Sequence, residues 1–347
     1  MIRFEGLRGR AEFLSHLKGF GREVQELEYR LDPLTGYMTI ISRGRSAYVL
    51  KHFRSDQGLL EELIRSSKPN CPFCPEAIED KTPKFPPELA PEGRLRKGDC
   101  WALPALYAHA DFNAIIVLGA EHFRRPSEMN EALLTDGLSL ALEALRRAFR
   151  TQPELRHGVI TMAYLPTAGS SLLHPHMQVL ATPRPFNMVK ELLAKSLEYY
   201  LATSRNFWED LVRRERGGPR FLSRLGHTWW LTPFAPMRRY EVWGIVEGQP
   251  NLLSLTDEDV RALANGLSRV LRAYDDMGIM AFNFALLSGP LGEDSSYYFW
   301  TQVRICARFG LRHMGLSDFW PPSTLLNTDE IFEAPEDYAQ RLKPYFA

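Results

Sequence analysis

Apolar residues recur with the period of a helix in two long stretches of the chain. In the first, Ser127 is placed as an N-cap with Glu128 in the opening turn. Leu133, Leu134, Leu138, Leu140, Ala141, Leu145 and Phe149 then form one apolar face. The second opens on Thr256-Asp257-Glu258-Asp259, a capping-box pattern, and carries Val260, Leu263, Leu267, Val270, Leu271 and Tyr274 as its stripe. Short apolar runs flank both stretches and predict strands: residues 113–118, 159–164 and 176–181 around the first, and 241–246, 281–287 and 299–307 around the second. Nearer the N-terminus, residues 11–20 and 23–29 read as amphipathic helical segments. The turn residues Asp32-Pro33-Leu34-Thr35-Gly36 lead into a strand over 37–41. Residues 76–98, rich in proline and charge, read as an irregular surface loop.

The order strand, helix, strand, strand therefore occurs twice. Its period is too long for a solenoid, so the chain is expected to be an α+β protein with a duplicated domain. The expected divisions are a helical arm over 1–29, a first domain over 30–190 and a second over 191–347. Aligning Gln178 with Gln302 sets Trp300 opposite His176 and Tyr298 opposite His174. On that alignment the second copy has lost its histidines.

Composition narrows the function classes. Lys+Arg and Asp+Glu are equal at 42 each, so no overall field invites nucleic acid or an anionic membrane. No apolar run approaches the roughly 20 residues that span a bilayer, and the N-terminus has no signal-type apolar core. Four cysteines in 347 residues do not make a disulfide framework. A soluble cytoplasmic enzyme is expected.

The candidate chemistry is concentrated in Gly169-Ser170-Ser171-Leu172-Leu173-His174-Pro175-His176-Met177-Gln178. If the segment is extended, His174, His176 and Gln178 share one strand face. Burying three such groups without partners is costly, so the pattern points to a site. The small residues before them let backbone amides approach an anion. Cys71-Pro72-Phe73-Cys74 admits two readings, a redox dithiol or half of a metal knuckle.

His-Pro-His-x-Gln after a small-residue turn resembles the active-site strand of the galactose-1-phosphate uridylyltransferase branch of the histidine triad superfamily. Arg30 to Arg45, with its Asp-Pro…Thr-Gly turn, is similar to that branch's N-terminal signature. The resemblance implies tandem domains of the histidine-triad type with mostly antiparallel sheets. It makes His176 a covalent nucleophile, with Gln178 catalytic beside it, and gives substrate phosphate contacts to Arg45, Gly169, Ser170 and Ser171. It also implies one structural zinc on Cys71, Cys74, His122 and His174. A second metal, which family members often carry in the second half, is expected to be absent, because Tyr298-Phe299-Trp300 holds no histidine. The implied activity is transfer of a nucleoside monophosphate from a nucleotide sugar to a sugar phosphate or to phosphate, in a homodimer. The sister branch hydrolyses with a third histidine where Gln178 stands, which favours transfer here. Departures are Tyr48 and Trp101 at positions where the family has a basic residue and an asparagine, Ala163-Tyr164-Leu165 in place of an Asn-x-Gly, and a missing sugar-phosphate segment near Asp318. Those departures motivate a second class, a non-catalytic nucleotide-binding protein on the same fold, and the Cys71–Cys74 pair motivates a thiol redox protein as a third.

Overall fold

The computed structural model describes residues 2–313 and 317–347, without the side chains of Arg45, Ala47 and Tyr48. Among the described residues the strands are β1 (Glu5–Ser15), β2 (Gly21–Leu31), β3 (Met38–Ile41), β4 (Leu95–Lys97), β5 (Cys100–Pro104), β6 (Phe112–Val117), β7 (His157–Tyr164), β8 (His176–Thr182), β9 (Phe221–Leu225), β10 (Thr228–Leu231), β11 (Val242–Val246), β12 (Ala281–Leu287), β13 (Gln302–Arg308) and β14 (Asp329–Ile331). Ten of them form one sheet in the order β4-β5-β6-β8-β7-β12-β13-β11-β10-β9. That order reads the same from both ends once β4–β8 are matched with β9–β13. The duplication is thus a palindrome in space, and its two halves meet where β7 pairs antiparallel with β12, Met162 facing Phe284. The smaller sheet runs β1-β2-β3-β14, and β14 pairs parallel with β3.

The two long helices form where their stripes predict. Glu131–Thr151 and Asp257–Asp276 bury Leu134, Leu138, Ala141 and Leu145, and Val260, Leu263, Leu267 and Leu271, respectively. Both lie on the sheet face that carries Met177, Val179 and Ala181 of β8, in one continuous core. Each fully buried leucine there contributes roughly 1.5–3 kcal/mol, far more than local helix propensity. Thr256 caps the second helix as expected, its hydroxyl accepting from the Asp259 N–H. For the first helix the cap is Asn130, accepting from Leu133, and not Ser127. Ser127 instead sits in a 3-10 turn and donates to Asp275, which also binds Arg125.

Gly266 lies in the helix of the second half directly under the buried indole of Trp230, where a Cβ would overlap the ring. Gly266→Ala is expected to lower stability by about 1–3 kcal/mol through overpacking. Thermal unfolding of the variant checks this.

Three expectations need correction. Residues 1–29 are not helical: β1 and β2 form a long antiparallel hairpin, Glu5 opposite Leu31 and Ser15 opposite Gly21, closed by left-handed Gly19 and Phe20. Both hairpin faces are largely exposed, with Leu14, Leu17 and Phe20 open to solvent. The last strand begins at Gln302 and not at 299, because Ser295 accepts backbone bonds from Tyr298 and Phe299 in a turn.

The alignment of the halves also shifts by two residues. Leu118 N–H donates to the Pro175 carbonyl, and in the second half Val246 N–H donates to that of Thr301, both at 2.9 Å. His176 Nδ1 bonds the His174 carbonyl at 2.8 Å, and Gln302 Nε2 bonds the Trp300 carbonyl at 3.4 Å. Gln302 therefore occupies the place of His176, Trp300 that of His174, and Arg304 that of Gln178.

Candidate active site and metal cluster

The other sheet face carries the even-numbered residues of β8 and is only partly covered, by the helices Asn187–Thr203 and Phe207–Glu215. Its uncovered part is a cavity of 590 Å³ spanning the seam between the halves. His176 and Gln178 of β8, Thr161 and Ala163 of β7, Asn283 and Ala285 of β12, and Arg304 and Cys306 of β13 form its floor. Gly169, Ser170 and Ser171 form one edge. Gly169 has φ +98°, a conformation that costs an L side chain strain, and it turns the chain tightly there. Ser170 spends its hydroxyl on the Leu172 carbonyl (2.6 Å), whereas Ser171 is exposed at the edge.

His176 is buried but borders the cavity. Its Nδ1 faces the His174 carbonyl at 2.8 Å. A carbonyl only accepts, so Nδ1 carries the hydrogen and the lone pair is left on Nε2. Burial pulls the pKa of the ring below its ordinary 6.5, against the pull of that carbonyl, so the neutral form is favoured. Phe73 packs edge-on against the ring, centroids 5.3 Å apart.

His174 does not share the cavity face with the other two. It precedes β8 and turns toward the Cys71-Pro72-Phe73-Cys74 loop, fully buried. Its Nδ1 lies 3.8 Å from both Cys71 Sγ and Cys74 Sγ, and His122 Nδ1 lies 3.4 Å from Cys74 Sγ. The four ligand atoms are all within 4.8 Å of one another. Both rings are oriented for ligation. His174 Nε2 donates to the Gly119 carbonyl (3.0 Å), and His122 Nε2 faces Ser67 Oγ (2.9 Å), whose own hydrogen goes to Leu63. Each Nδ1 therefore presents a lone pair to the thiols, with the outer hydrogen bonds that metal-binding histidines use. Burial drives the His174 pKa down to about 4, keeping that ring neutral. Burial, together with the neighbouring Cys71, pushes the Cys74 thiol up to about 12. Two buried sulfurs beside two buried nitrogen lone pairs fit a divalent cation, and two sulfurs with two nitrogens suit a tetrahedral ion.

All the sequence-picked residues of 169–178 and the four cluster residues are thus brought together around the start of β8. Arg45 lies on a 3-10 turn, Arg43–Arg45, and its side chain and that of Tyr48 are outside the described residues. Trp101 packs beside the Cys71–Cys74 loop and carries the Arg96 guanidinium on its ring at 4.1 Å. The cavity wall from the second half, including Asn283, Arg304 and Glu241, was not singled out from the sequence. Those residues reach the site through long-range strand pairing, which leaves no local signal.

The chain shares this fold with solved uridylyltransferase-like proteins. An ADP-glucose phosphorylase from Arabidopsis thaliana, solved with bound ADP-glucose, superposes with a TM-score of 0.71 at 17% identity over 91% of this chain and 98% of that one. A uridylyltransferase mutant superposes with a TM-score of 0.66 at 21% identity, covering 92% and 97%. An uncharacterised protein of Archaeoglobus fulgidus is 28% identical over 327 residues, 93% of this chain and 94% of its own. No protein-family model matches the chain.

Proposed function

We propose that this protein is a nucleotidyltransferase that moves a nucleoside monophosphate from a nucleotide sugar to a phosphorylated acceptor through a nucleotidyl-histidine at His176. The acceptor is a sugar phosphate or inorganic phosphate, the latter as in the phosphorylase that shares the fold. The observation that carries the reading is the fixed tautomer of His176, with Nε2 unprotonated at the cavity wall.

Imidazole attacks phosphorus well and leaves it well, so transfer divides into two displacements. His176 Nε2 forms the bond to the α-phosphorus, and the bond to the leaving phosphate oxygen breaks, releasing a sugar phosphate. An oxygen of the acceptor phosphate then attacks the same phosphorus and frees Nε2. Neither step needs a proton at Gln178, which cannot supply one. Gln178 and the Ser171 hydroxyl donate to the non-bridging oxygens, whereas the amides of Gly169 and Ser170 are spent on the Pro166 and Leu165 carbonyls and leave those two residues to shape the turn. Arg45 is proposed as a further phosphate contact.

The cluster of Cys71, Cys74, His122 and His174 would hold zinc. With four protein ligands, the ion supplies rigidity and not a reactive water. His174 fixed in this way holds its own carbonyl, and with it the hydrogen bond that sets the His176 tautomer. A thiol redox role for Cys71 and Cys74 is distinguished by metal analysis: stoichiometric zinc that protects both thiols from alkylation excludes it.

Ping-pong kinetics test the scheme. Initial rates at varied nucleotide sugar and several phosphate concentrations should give parallel double-reciprocal lines; intersecting lines would contradict a covalent intermediate. Because burial lowers the His176 pKa, the neutral nucleophile persists below pH 6.5. The pH profile of kcat/KM should therefore stay level through 6.5 and fall only at lower pH, as the ring protonates. A fall centred at 6.5 or above would show a solvent-exposed ring.

A further inference from the structure

The second half has lost a nucleophile, yet it builds half of the cavity. At the position matching Gln178 it places Arg304, a half-buried guanidinium on the cavity wall. The side chain is held from two sides. Its guanidinium lies over the Trp243 ring at 4.1 Å, and its Nε donates to Gln302 Oε1 at 3.0 Å. Gln302 is itself fixed by its bond to the Trp300 carbonyl.

Among the described residues no carboxylate oxygen forms an ion pair with Arg304. The acidic groups nearest in effect are Glu241 and Asp32, and both are engaged elsewhere. Glu241 accepts from Arg238 N–H (2.9 Å) and Trp243 Nε1–H (2.6 Å). Asp32 Oδ1 accepts from the amides of Leu34 and Thr35 and from the Thr35 hydroxyl. Burial pulls the Arg304 pKa down, a sign of a desolvated and under-compensated cation. Holding such a charge half out of water is costly unless an anion completes it, and guanidinium is built to bind carboxylate or phosphate bidentately.

The strand registers place Arg304 relative to the reacting centre. Gln178, Thr161, Ala285 and Arg304 stand in line across β8, β7, β12 and β13. Three strand spacings separate the ends of that line, roughly 14 Å. The guanidinium leans further away, toward Trp243 on β11.

We propose that Arg304 binds an anionic group at the end of the substrate remote from the phosphorus that His176 attacks. The inference rests on the nucleotidyl-transfer reading and adds to it a substrate class: the part of the nucleotide conjugate beyond the diphosphate carries a carboxylate or a phosphate. The degenerate half has thereby exchanged chemistry for recognition.

Isothermal titration of the metal-loaded protein with two ligand pairs tests this. One pair is UDP-glucose and UDP-glucuronate; the other is ADP-glucose and diadenosine tetraphosphate. In at least one pair the more charged member should bind about tenfold or more tightly, and which pair does so separates carboxylate from phosphate. Arg304→Met should erase that preference while leaving the affinity for the uncharged sugar within about twofold. Arg304→Lys should restore part of it. Should Arg304→Met fail to fold, Arg304→Gln serves in its place. Equal affinities within both pairs, or equal losses for charged and uncharged ligands in the variant, overturn the proposal and leave Arg304 a packing residue. Adduct formation on His176 from the uncharged sugars, followed in parallel, keeps the two readings apart. An adduct without charge preference removes the role of Arg304 alone, whereas neither binding nor adduct with any ligand removes both.

Discussion

His176→Asn yields a folded, metal-loaded protein whose nucleotidyl transfer falls by about 10⁴-fold or more, as expected when a covalent nucleophile is removed. Asparagine can keep a hydrogen bond to the His174 carbonyl, so the strand start and the cluster behind it are undisturbed. It offers no lone pair able to bond phosphorus. Binding of the intact nucleotide sugar should change little, because Gln178, Ser171 and the far wall remain. The measurement is kcat beside a binding isotherm for the same ligand. A pure nucleotide-binding protein would show neither turnover in the parent nor any difference in the variant.

Cys74→Ser is expected to act on stability and activity together. Cys74 is buried and within 3.8 Å of both histidine lone pairs. Its loss leaves three donors and a hydroxyl at the cluster. Structural metal sites contribute folding free energy directly, so a loss of several kcal/mol, about 10 °C or more in the unfolding midpoint, is expected. With His174 no longer anchored, its carbonyl ceases to hold Nδ1 of His176, and kcat should drop by about 10–100-fold even below the new midpoint. Bound metal quantified by mass spectrometry, a melting curve and kcat check the three consequences. A variant that keeps full activity after losing its metal would show that the cluster does not position His176.

Much of this was legible in the sequence because the signals are local. The two long helices announce themselves by stripes such as Leu134, Leu138, Ala141 and Leu145, which later prove buried. The cluster was legible because Cys71-x-x-Cys74 and His174-Pro175-His176 are each informative spacings, and the family resemblance joined them. The N-terminal hairpin was not. In β1 and β2 neither face is fully buried, so no period-two contrast develops, while Ala11, Leu14 and Leu17 fall at a chance helical spacing. The turn residues Lys18-Gly19-Phe20-Gly21 held the better signal.

The alignment of the halves failed for a different reason. Two glutamines, Gln178 and Gln302, attracted each other, and a slip of two residues leaves every side chain on the same strand face. Hydrophobic pattern cannot detect such a slip. Backbone bonds at Leu118 and Val246 do. The same non-locality hid Arg304 and Asn283, since β7 and β12 are more than a hundred residues apart in the chain yet share a seam.

The most direct measurement is intact-protein and peptide mass spectrometry after incubation with a nucleotide sugar in the absence of any phosphate acceptor. The protein should gain the mass of one nucleoside monophosphate, acid-labile, carried on His176 and discharged when a phosphorylated acceptor is supplied. Unmodified protein with every UDP- and ADP-sugar tried, or an adduct on any other residue, would contradict a covalent role for His176.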